Sequence, residues 1–313
     1  MNKNKSLPLF AMLPPFYDAP LYKNVDAYLR RIEQEFNIKI KKYSYLRWAF
    51  GNDVFVINNE IVFRFPKTEQ LRSHLPYEID FLKFLKNKVK VHIPSYFYVS
   101  KAGDFAGYDL IEGKILTPSA FKKLGRRNKE IIVDQLIEFI NILHQIDFKR
   151  FALYKPGKRE DFIEIEKRIE DEMRKKLFPK LSRNEVDLIK NFYRDSKKYL
   201  QGIPSSCPIH GDLYAYNIIW SKDKTGVGVI DFDDYLVGDP AKDFEVFYDY
   251  GQEYAELAYQ KYSGPKDKDF LQRAKNYYKV HGIYTLLSSL LGARISFDYA
   301  YSSFFKPKFY SRK

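Results

Sequence analysis

Residues 210–234 constrain the fold of this chain more than any other stretch of its sequence. They read HGDLYAYNIIWSKDKTGVGVIDFDD and open with His210, Gly211 and Asp212. Two β-prone runs, 218–220 and 228–230, are separated by a polar segment that contains glycine. This pattern predicts a β-hairpin. Because a hairpin brings the residues that flank its strands to one end, we expect those residues to lie close together.

The residues at that end carry groups suited to phosphate chemistry. Asn217 and Asp231 are expected to face each other, and an amide oxygen with a carboxylate suits Mg²⁺ that still binds water and phosphates. Asp212 lies one short loop away, where it can accept the proton of an attacking hydroxyl. The set predicts phosphoryl transfer, in which positioning and charge neutralisation supply nearly all of the catalysis. The alternative is a surface hairpin with scattered acidic residues.

The order of these residues also resembles a known family. His-x-Asp-x4-Asn followed by Ile-Asp-x2-Asp is similar to the catalytic and metal loops of aminoglycoside phosphotransferases and choline kinases, relatives of protein kinases. The continuation 238–243, Gly-Asp-Pro-Ala-Lys-Asp, fits the same pattern. The resemblance implies Asp212 as the catalytic residue, Asn217 and Asp231 as Mg²⁺ ligands, and ATP or GTP as phosphate donor. Three neighbours, His210, Asp239 and Asp243, are expected to support the loop.

The resemblance further implies an α+β, bilobal, protein-kinase-like fold. Residues 1–107 would form a small β-rich N-terminal lobe that binds nucleotide, and 108–313 the hinge and a larger, mostly helical catalytic lobe. Hydrophobic periodicity predicts strands over 38–45, 53–57, 61–65 and 96–100. It predicts helices over 25–36, 75–87, 130–145, 159–177, 183–200, 241–262 and 267–296.

Candidates for nucleotide binding follow from the same resemblance. Arg64 stands where many relatives carry a lysine for the α and β phosphates, and Lys67 is the alternative cation. Glu78 resembles the helix glutamate that orients this cation. Segment 107–113 resembles the hinge, where the backbone of Asp109 and Ile111 would bind the purine. Since an arginine fork is planar and larger than an ammonium, Arg64 implies a changed geometry at the phosphates.

The distribution of acidic residues predicts a cationic acceptor. Between Asp212 and Gln260 there are 11 acidic and 3 basic residues, although the whole chain carries a net charge of +13. Four acids in this segment that magnesium binding and structural roles do not account for are candidate substrate ligands: Asp234, Asp249, Glu253 and Glu256. The last three, at i, i+4 and i+7, would share one face of a single helix. The alternative is a solvated acidic helix face.

Within the group, the chain most resembles the aminoglycoside 2''-phosphotransferases. Short matches carry this resemblance: Gly51-Asn52-Asp53, the Phe-Arg-Phe-Pro-Lys run at 63–67, the helix around Glu78, Thr117-Pro118 and Glu253-Tyr254. They imply phosphate transfer to an aminoglycoside hydroxyl and hence antibiotic resistance. The alternatives are a metabolite kinase for choline, a sugar or a similar alcohol, a nucleotide-binding module without turnover, and an RNA-binding protein. The sequence departs from the family pattern at Asp233. Several relatives have glycine at this position, directly before the aspartate that corresponds to Asp234.

The composition of the chain argues against several other classes of protein. The single cysteine, Cys207, excludes an intramolecular disulfide. The absence of an 18-residue apolar run predicts no transmembrane helix. Prolines interrupt the apolar N-terminal stretch, 1–16, which favours an arm over a signal peptide. Lysines are dispersed and no nucleic-acid motif is recognised, which argues against a nucleic-acid partner. We therefore expect a cytoplasmic monomer.

Overall fold

The computed structural model describes residues 24–46, 51–147, 167–200, 206–223, 226–292 and 295–305. Its strands are β1 (Tyr43–Leu46), β2 (Asn52–Ile57), β3 (Ile61–Pro66), β4 (Tyr96–Val99), β5 (Ala106–Asp109), β6 (Lys114–Ile115), β7 (Cys207–Ile209), β8 (Ile218–Ser221), β9 (Gly226–Val229) and β10 (Leu236–Gly238). Its α-helices include α1 (Val25–Phe36), α2 (Glu69–Lys86), α3 (Pro118–Lys122), α4 (Arg126–His144), α5 (Arg183–Leu200), α6 (Glu245–Tyr250), α7 (Gln252–Lys261), α8 (Phe270–Leu290) and α9 (Phe297–Phe305). The predicted N-terminal arm lies outside the described residues.

The small lobe, which comprises α1, α2 and β1 to β5, is built on one antiparallel sheet. Its strand order is β1-β2-β3-β5-β4, so β3 lies at the centre. Phe63 and Phe65 of β3 pack with Tyr28 and Ile32 of α1 in the lobe's core. Because alternate residues of a strand point to opposite faces, Arg64 projects away from α1 and toward α2, where it pairs with a glutamate.

The first strand of this sheet is shorter than the sequence predicts. The prediction of a strand over 38–45 is wrong at its start, because only Tyr43–Leu46 pairs with β2. The backbone N–H groups of Lys41 and Lys42 donate to the side-chain oxygen of Asn58 at 2.9 and 3.3 Å. An asparagine side chain therefore satisfies backbone groups that the alternating pattern assigned to a strand.

The helix that carries the phosphate-site glutamate begins earlier than predicted over 75–87. α2 starts at Glu69 because Thr68 caps it, accepting a hydrogen bond from the backbone N–H of Leu71 at 3.3 Å. The helix then continues through Pro76. Helix 130–145 likewise begins earlier, at Arg126, whereas the boundaries predicted for α1 and α5 are confirmed.

The large lobe, which comprises β6 to β10 and α3 to α9, places the hairpin on a helical core. β8 and β9 pair antiparallel, as predicted, and β6 joins them as a third strand. Ile218 and Val229 of the hairpin are fully buried and pack into the same core as Leu136 and Ile140 of α4. A second small sheet pairs β7 with β10 and so joins the two ends of the catalytic segment.

The single helix predicted over 241–262 is wrong. Residues Pro240–Phe244 form a 3-10 helix, after which α6 and α7 are separate helices. Gly251 lies between them with a φ of +139°, a conformation open to glycine but not to residues with a side chain. The prediction over 267–296 is also wrong at both ends, because α8 runs from Phe270 to Leu290 and α9 follows. Of the helix predicted over 159–177, only the part from residue 167 onward is described, and it ends in a π-helical turn, Met173–Leu177.

The structure bears on two further features of the sequence, its lack of long apolar runs and its single cysteine. None of the helices in the described ranges is both long enough and apolar enough to cross a membrane. Cys207 is buried in β7 as a free thiol. Because burial raises the pKa of this thiol, it stays protonated and serves as a small core residue.

Candidate active site

The catalytic loop, residues 210–217, connects β7 to β8 through a tight turn at Gly211. This glycine has a φ of +83°, and a Cβ there would lie 2.4 Å from the backbone oxygen of Asp234. Neither that conformation nor that distance tolerates a side chain. Gly211 therefore lets the loop lie directly on the segment that follows β9.

Asp243 and His210 hold the loop in place. The carboxylate of Asp243 accepts hydrogen bonds from the backbone N–H groups of His210 at 2.8 Å and Gly211 at 3.0 Å. Burial lowers the pKa of His210 to about 4, so its ring is neutral. Nδ1 then accepts from the backbone N–H of Asp212 at 3.3 Å, while Nε2 donates to the backbone oxygen of Ile230 at 3.1 Å. These contacts confirm the supporting roles predicted for both residues.

Asp239 supports the loop from further away. It caps the 3-10 helix that contains Asp243 by accepting from the backbone N–H of Ala241 at 3.1 Å. Its other partner is Arg273 of α8, whose Nε lies 2.7 Å from Asp239 Oδ2. Both side chains are almost fully buried, and Arg273 also pairs with Asp267. The guanidinium of Arg273 thus fixes the carboxylate of Asp239, which caps the 3-10 helix that contains Asp243.

Removing Arg273 is expected to destabilise the whole protein. Arg273→Ala leaves Asp239 buried without its cation, and breaking a buried pair from one side costs about 3–5 kcal/mol. Urea unfolding should show this loss, whereas Lys268→Ala, which removes an exposed cation near the start of the same helix, should change stability by under about 0.5 kcal/mol. Equal stability of the two variants would show that the pair does not support the fold.

Asp212 and Asn217 face each other across the loop. The side-chain nitrogen of Asn217 donates to the backbone oxygen of Asp212 at 2.9 Å and to its Oδ2 at 3.1 Å. Burial raises the pKa of Asp212 to about 6, although the ammonium of Lys242 opposes the shift. A carboxylate with such a pKa is suited to accept a proton near neutral pH.

Asp231 follows β9 at the end of the hairpin that carries Asn217. The backbone N–H of Ile230 donates to the backbone oxygen of Asn217 at 3.0 Å, so the two predicted metal ligands flank the same pair of strands. Asp231 has a φ of +68°, which is uncommon for a residue other than glycine. Strained residues of this kind cluster at functional sites, and here the side chain remains 47% exposed.

The side-chain chemistry of Asn217 and Asp231 fits magnesium. Because the amide nitrogen of Asn217 is fixed by Asp212, its amide oxygen is directed away from that residue. Together with the Asp231 carboxylate it offers hard oxygen ligands of the kind Mg²⁺ takes from proteins when phosphates and water complete its shell. Partial burial and repulsion from Asp233 raise the pKa of Asp231 to about 7. In the described ranges no three or more His, Cys, Asp or Glu side chains are arranged as a metal site.

Arg64 links the small lobe to this segment. Its Nη1 donates to Glu78 Oε1 and to the hydroxyl of Tyr96, each at 2.8 Å. Its Nη2 donates to Asp231 Oδ1 at 3.1 Å and also to Asp233 Oδ1. Burial raises the pKa of Glu78 to about 8, and the guanidinium opposes that shift. The sequence predicted only the glutamate as a partner of Arg64.

The alternative phosphate cation, Lys67, has a different neighbour. Its Nζ lies 3.8 Å from Asp53 Oδ1, and the Oδ2 of Asp53 accepts from the hydroxyl of Tyr28 at 2.8 Å. Arg64 instead contacts Asp231, the predicted metal ligand. Arg64 therefore lies against the predicted metal segment, and phosphate binding by either cation stays a prediction.

The predicted purine-binding residues lie where β5 leads into β6. β5 spans Ala106–Asp109, so the lobe boundary expected after residue 107 falls within a strand of the small lobe. Asp109 is exposed, and Ile111 packs onto the hairpin, its Cγ2 lying 2.7 Å from where a Cβ on Gly228 would be. Purine binding by Asp109 and Ile111 stays a prediction.

The four acidic candidates for the acceptor lie on three different segments of the large lobe. Asp234 is exposed beside the catalytic loop, whereas Asp249 accepts from the backbone N–H of Ala215 at 2.7 Å and so braces that loop. Glu253 and Glu256 are exposed on α7. Because Gly251 separates α6 from α7, the expectation that Asp249 shares one helix face with these glutamates is wrong.

Sequence reasoning missed three residues of the site. Asn52 donates to Asp233 Oδ2 at 2.5 Å, and the hydroxyl of Tyr96 lies 2.9 Å from Glu78 Oε1. Two of them carried a signal without an assigned role: Asp233 is an acid where several relatives have glycine, and Asn52 belongs to the Gly51-Asn52-Asp53 match. Tyr96 carried no signal beyond its place in a predicted strand.

The two-lobed architecture and the hairpin site define the class as a phosphotransferase with a protein-kinase-like fold. The model of the phosphotransferase enzyme family, APH, matches residues 43–271. The chain belongs to this family. The match includes the catalytic segment, so the resemblance predicted from that segment is confirmed.

Solved structures extend the likeness to most of the chain. A point mutant of aminoglycoside 2'-phosphotransferase-IIIa in complex with GDP is 24% identical, with a TM-score of 0.72 over 90% of this chain and 96% of that one. The streptomycin-ATP complex of APH(2")-IIa is 22% identical, with a TM-score of 0.62 over 90% and 96%. Macrolide 2'-phosphotransferase MphH from Brachybacterium faecium is 14% identical, with a TM-score of 0.57 over 90% and 99%. At these identities the likeness establishes the fold.

Proposed function

We propose that this protein transfers the γ-phosphate of ATP or GTP to a hydroxyl of a small cationic acceptor, most specifically an aminoglycoside, and so confers antibiotic resistance. One observation carries the proposal: Asp212, Asn217 and Asp231 lie at one end of the hairpin, facing Arg64 of the small lobe. A proton acceptor, oxygen ligands and a phosphate cation are the parts that phosphoryl transfer requires. The proposed setting is the cytoplasm, and the proposed working form is a monomer.

Asp212 is the proposed proton acceptor for the attacking hydroxyl. Its bond from Asn217, at 3.1 Å, fixes the direction of the carboxylate. Asn217 would therefore have two roles: its side-chain nitrogen orients the proposed base, and its amide oxygen is a proposed Mg²⁺ ligand. Asp249 and Asp243 keep the surrounding loop rigid through backbone N–H groups, which preserves the distance between base and phosphate during the reaction.

The nucleotide would lie between Arg64 and the hairpin. Asn217 and Asp231 would hold Mg²⁺, which when bound supplies positive charge to the donor's phosphates. Arg64, oriented by Glu78, would donate to those phosphates, and the backbone near Asp109 and Ile111 would bind the purine. Solved relatives have been captured with GDP and with ATP, which supports leaving both donors in the proposal.

The acceptor would bind on the acidic side of the catalytic loop. Asp234 is exposed there, and Glu253 and Glu256 are exposed on α7. An ammonium beside a carboxylate at the protein surface gains roughly 4 kcal/mol of raw Coulomb energy at 4 Å and an effective dielectric near 20, less the cost of desolvation and the screening by salt. Such contacts favour an acceptor with several ammonium groups over a neutral alcohol.

A panel of acceptors tests the proposal. We expect nucleotide consumption with kanamycin and streptomycin, which occur in complexes of solved relatives, and little with a macrolide, choline or a neutral sugar. Glu253→Gln should raise the KM for kanamycin without changing the KM for nucleotide. Asp249→Asn is a poorer probe, because its carboxylate also braces Ala215. Turnover only with choline or neutral alcohols would contradict the aminoglycoside proposal.

A further inference from the structure

Asp233 has both carboxylate oxygens committed to the small lobe, although it belongs to the metal segment of the large lobe. Oδ1 accepts from Arg64 Nη2, and Oδ2 accepts from Asn52 at 2.5 Å. Asn52 is the first residue of β2, and the preceding Gly51 lies against the same carboxylate, since a Cβ there would be 3.6 Å from Oδ2. Asp233 is thus a bridge between the lobes at the phosphate side of the site.

The hydrogen bonds of Arg64 leave its fork little freedom. A guanidinium has four terminal N–H groups besides Nε–H, and four contacts to Nη1 and Nη2 are present. Nη1 serves Glu78 and Tyr96, and Nη2 serves Asp231 and Asp233. A phosphate can gain a terminal N–H of Arg64 only by replacing one of these partners.

The contacts of Nη2 differ in a way that decides which partner an incoming phosphate replaces. The bond to Asp231 is 3.1 Å long, and that side chain is 47% exposed. Asp233 is only 19% exposed, and Asn52 holds its second oxygen. An incoming phosphate therefore displaces Asp231 from Nη2. Glu78, bound to Nη1, and Asp233, bound to Nη2, continue to hold the guanidinium.

We propose that Asp233 is a positioning residue that, together with Asn52, anchors the Arg64 guanidinium across the cleft between the lobes. The anchored fork presents one Nη2 hydrogen to the donor's phosphates as soon as Asp231 releases it. This role rests on the proposed function, because it assigns Arg64 to the nucleotide. This role also explains how an arginine can act at the phosphate-binding position. Glu78 alone contacts one terminal nitrogen of the planar guanidinium, and Asp233 supplies the second carboxylate that fixes its plane.

A double-mutant cycle on nucleotide affinity tests the anchor. Calorimetry with a non-hydrolysable ATP or GTP analogue, with and without MgCl₂, would compare Asp233→Ala, Arg64→Lys and the double variant. Each single change should weaken binding by about tenfold, the loss expected for one hydrogen bond to a charged group. The double variant should be no weaker than either single, because the interaction is lost once.

Further variants separate positioning from a structural role. Asp223→Asn, an exposed acid in the turn of the same hairpin, should leave affinity and Tm unchanged. Asp233→Asn keeps an oxygen for Arg64 but loses the acceptor for Asn52, so its affinity should fall between wild type and Asp233→Ala. In steady-state assays the nucleotide KM should rise while the acceptor KM stays constant.

Three results would overturn the anchor. Tighter nucleotide binding by Asp233→Ala would mean that this carboxylate competes with the phosphates rather than positioning their cation. Additive effects in the double variant would mean that Asp233 and Arg64 act independently. Wild-type protein that binds neither analogue would refute the proposed function itself, and the anchor with it, so the two failures are distinguishable.

Discussion

Replacing Asp212 with asparagine is expected to lower kcat by about 10²–10⁴, the usual contribution of a positioned general base. The amide has nearly the same shape, so the hydrogen bond from Asn217 to the backbone oxygen of Asp212 and the fold of the loop should persist. The asparagine side chain cannot accept the proton of an attacking hydroxyl. Nucleotide affinity measured by calorimetry should therefore stay close to that of wild type while turnover collapses.

The matched control for this change is Asp223→Asn. It makes the same chemical substitution in the same hairpin, at an exposed turn residue, and should leave kcat unaltered. If Asp212→Asn retained most of its kcat while the control behaved as expected, another group would be the proton acceptor.

Asp231→Ala is expected to eliminate the magnesium dependence of nucleotide binding. An ionised carboxylate dominates the attraction of a site for a hard dication, whereas an amide oxygen mainly completes the shell. Asn217→Ala should accordingly be milder for the metal, although it also removes the hydrogen bonds to Asp212 and so should lower kcat.

Titrations of nucleotide affinity against MgCl₂ distinguish these variants. Wild type should bind more tightly as magnesium rises, and Asp231→Ala should show a flat response. An unchanged magnesium response in Asp231→Ala would rule out this carboxylate as a metal ligand and move the metal site elsewhere in the cleft.

Much of the site could be predicted because its residues are close in sequence. Asp212, Asn217 and Asp231 flank the strands of one hairpin, and the two-residue period with a polar turn is a local signal. The pairing of Arg64 with Glu78 was predicted only through the resemblance to the family, because the two residues are 14 positions apart on different elements and no local pattern joins them. Local periodicity likewise gave both ends of α1 and α5.

The features that were missed depend on contacts distant in sequence or on one backbone angle. Asn52 and Asp233 are 181 positions apart, so nothing local in either segment announces their hydrogen bond. Gly251 stands in a run of helix-forming residues, and only its φ of +139° shows that the helix ends there. The predicted acidic helix face failed for that reason, and the role of Asp249 changed from candidate acceptor ligand to loop brace.

The central claim is the transfer of phosphate from a nucleotide to an acceptor hydroxyl. Incubating wild-type protein with γ-labelled ATP or GTP, MgCl₂ and kanamycin, and then separating the products, measures this transfer directly. We expect the label on kanamycin with wild type and almost none with Asp212→Asn. Label recovered only as inorganic phosphate, or equally on kanamycin with Asp212→Asn, would contradict the account.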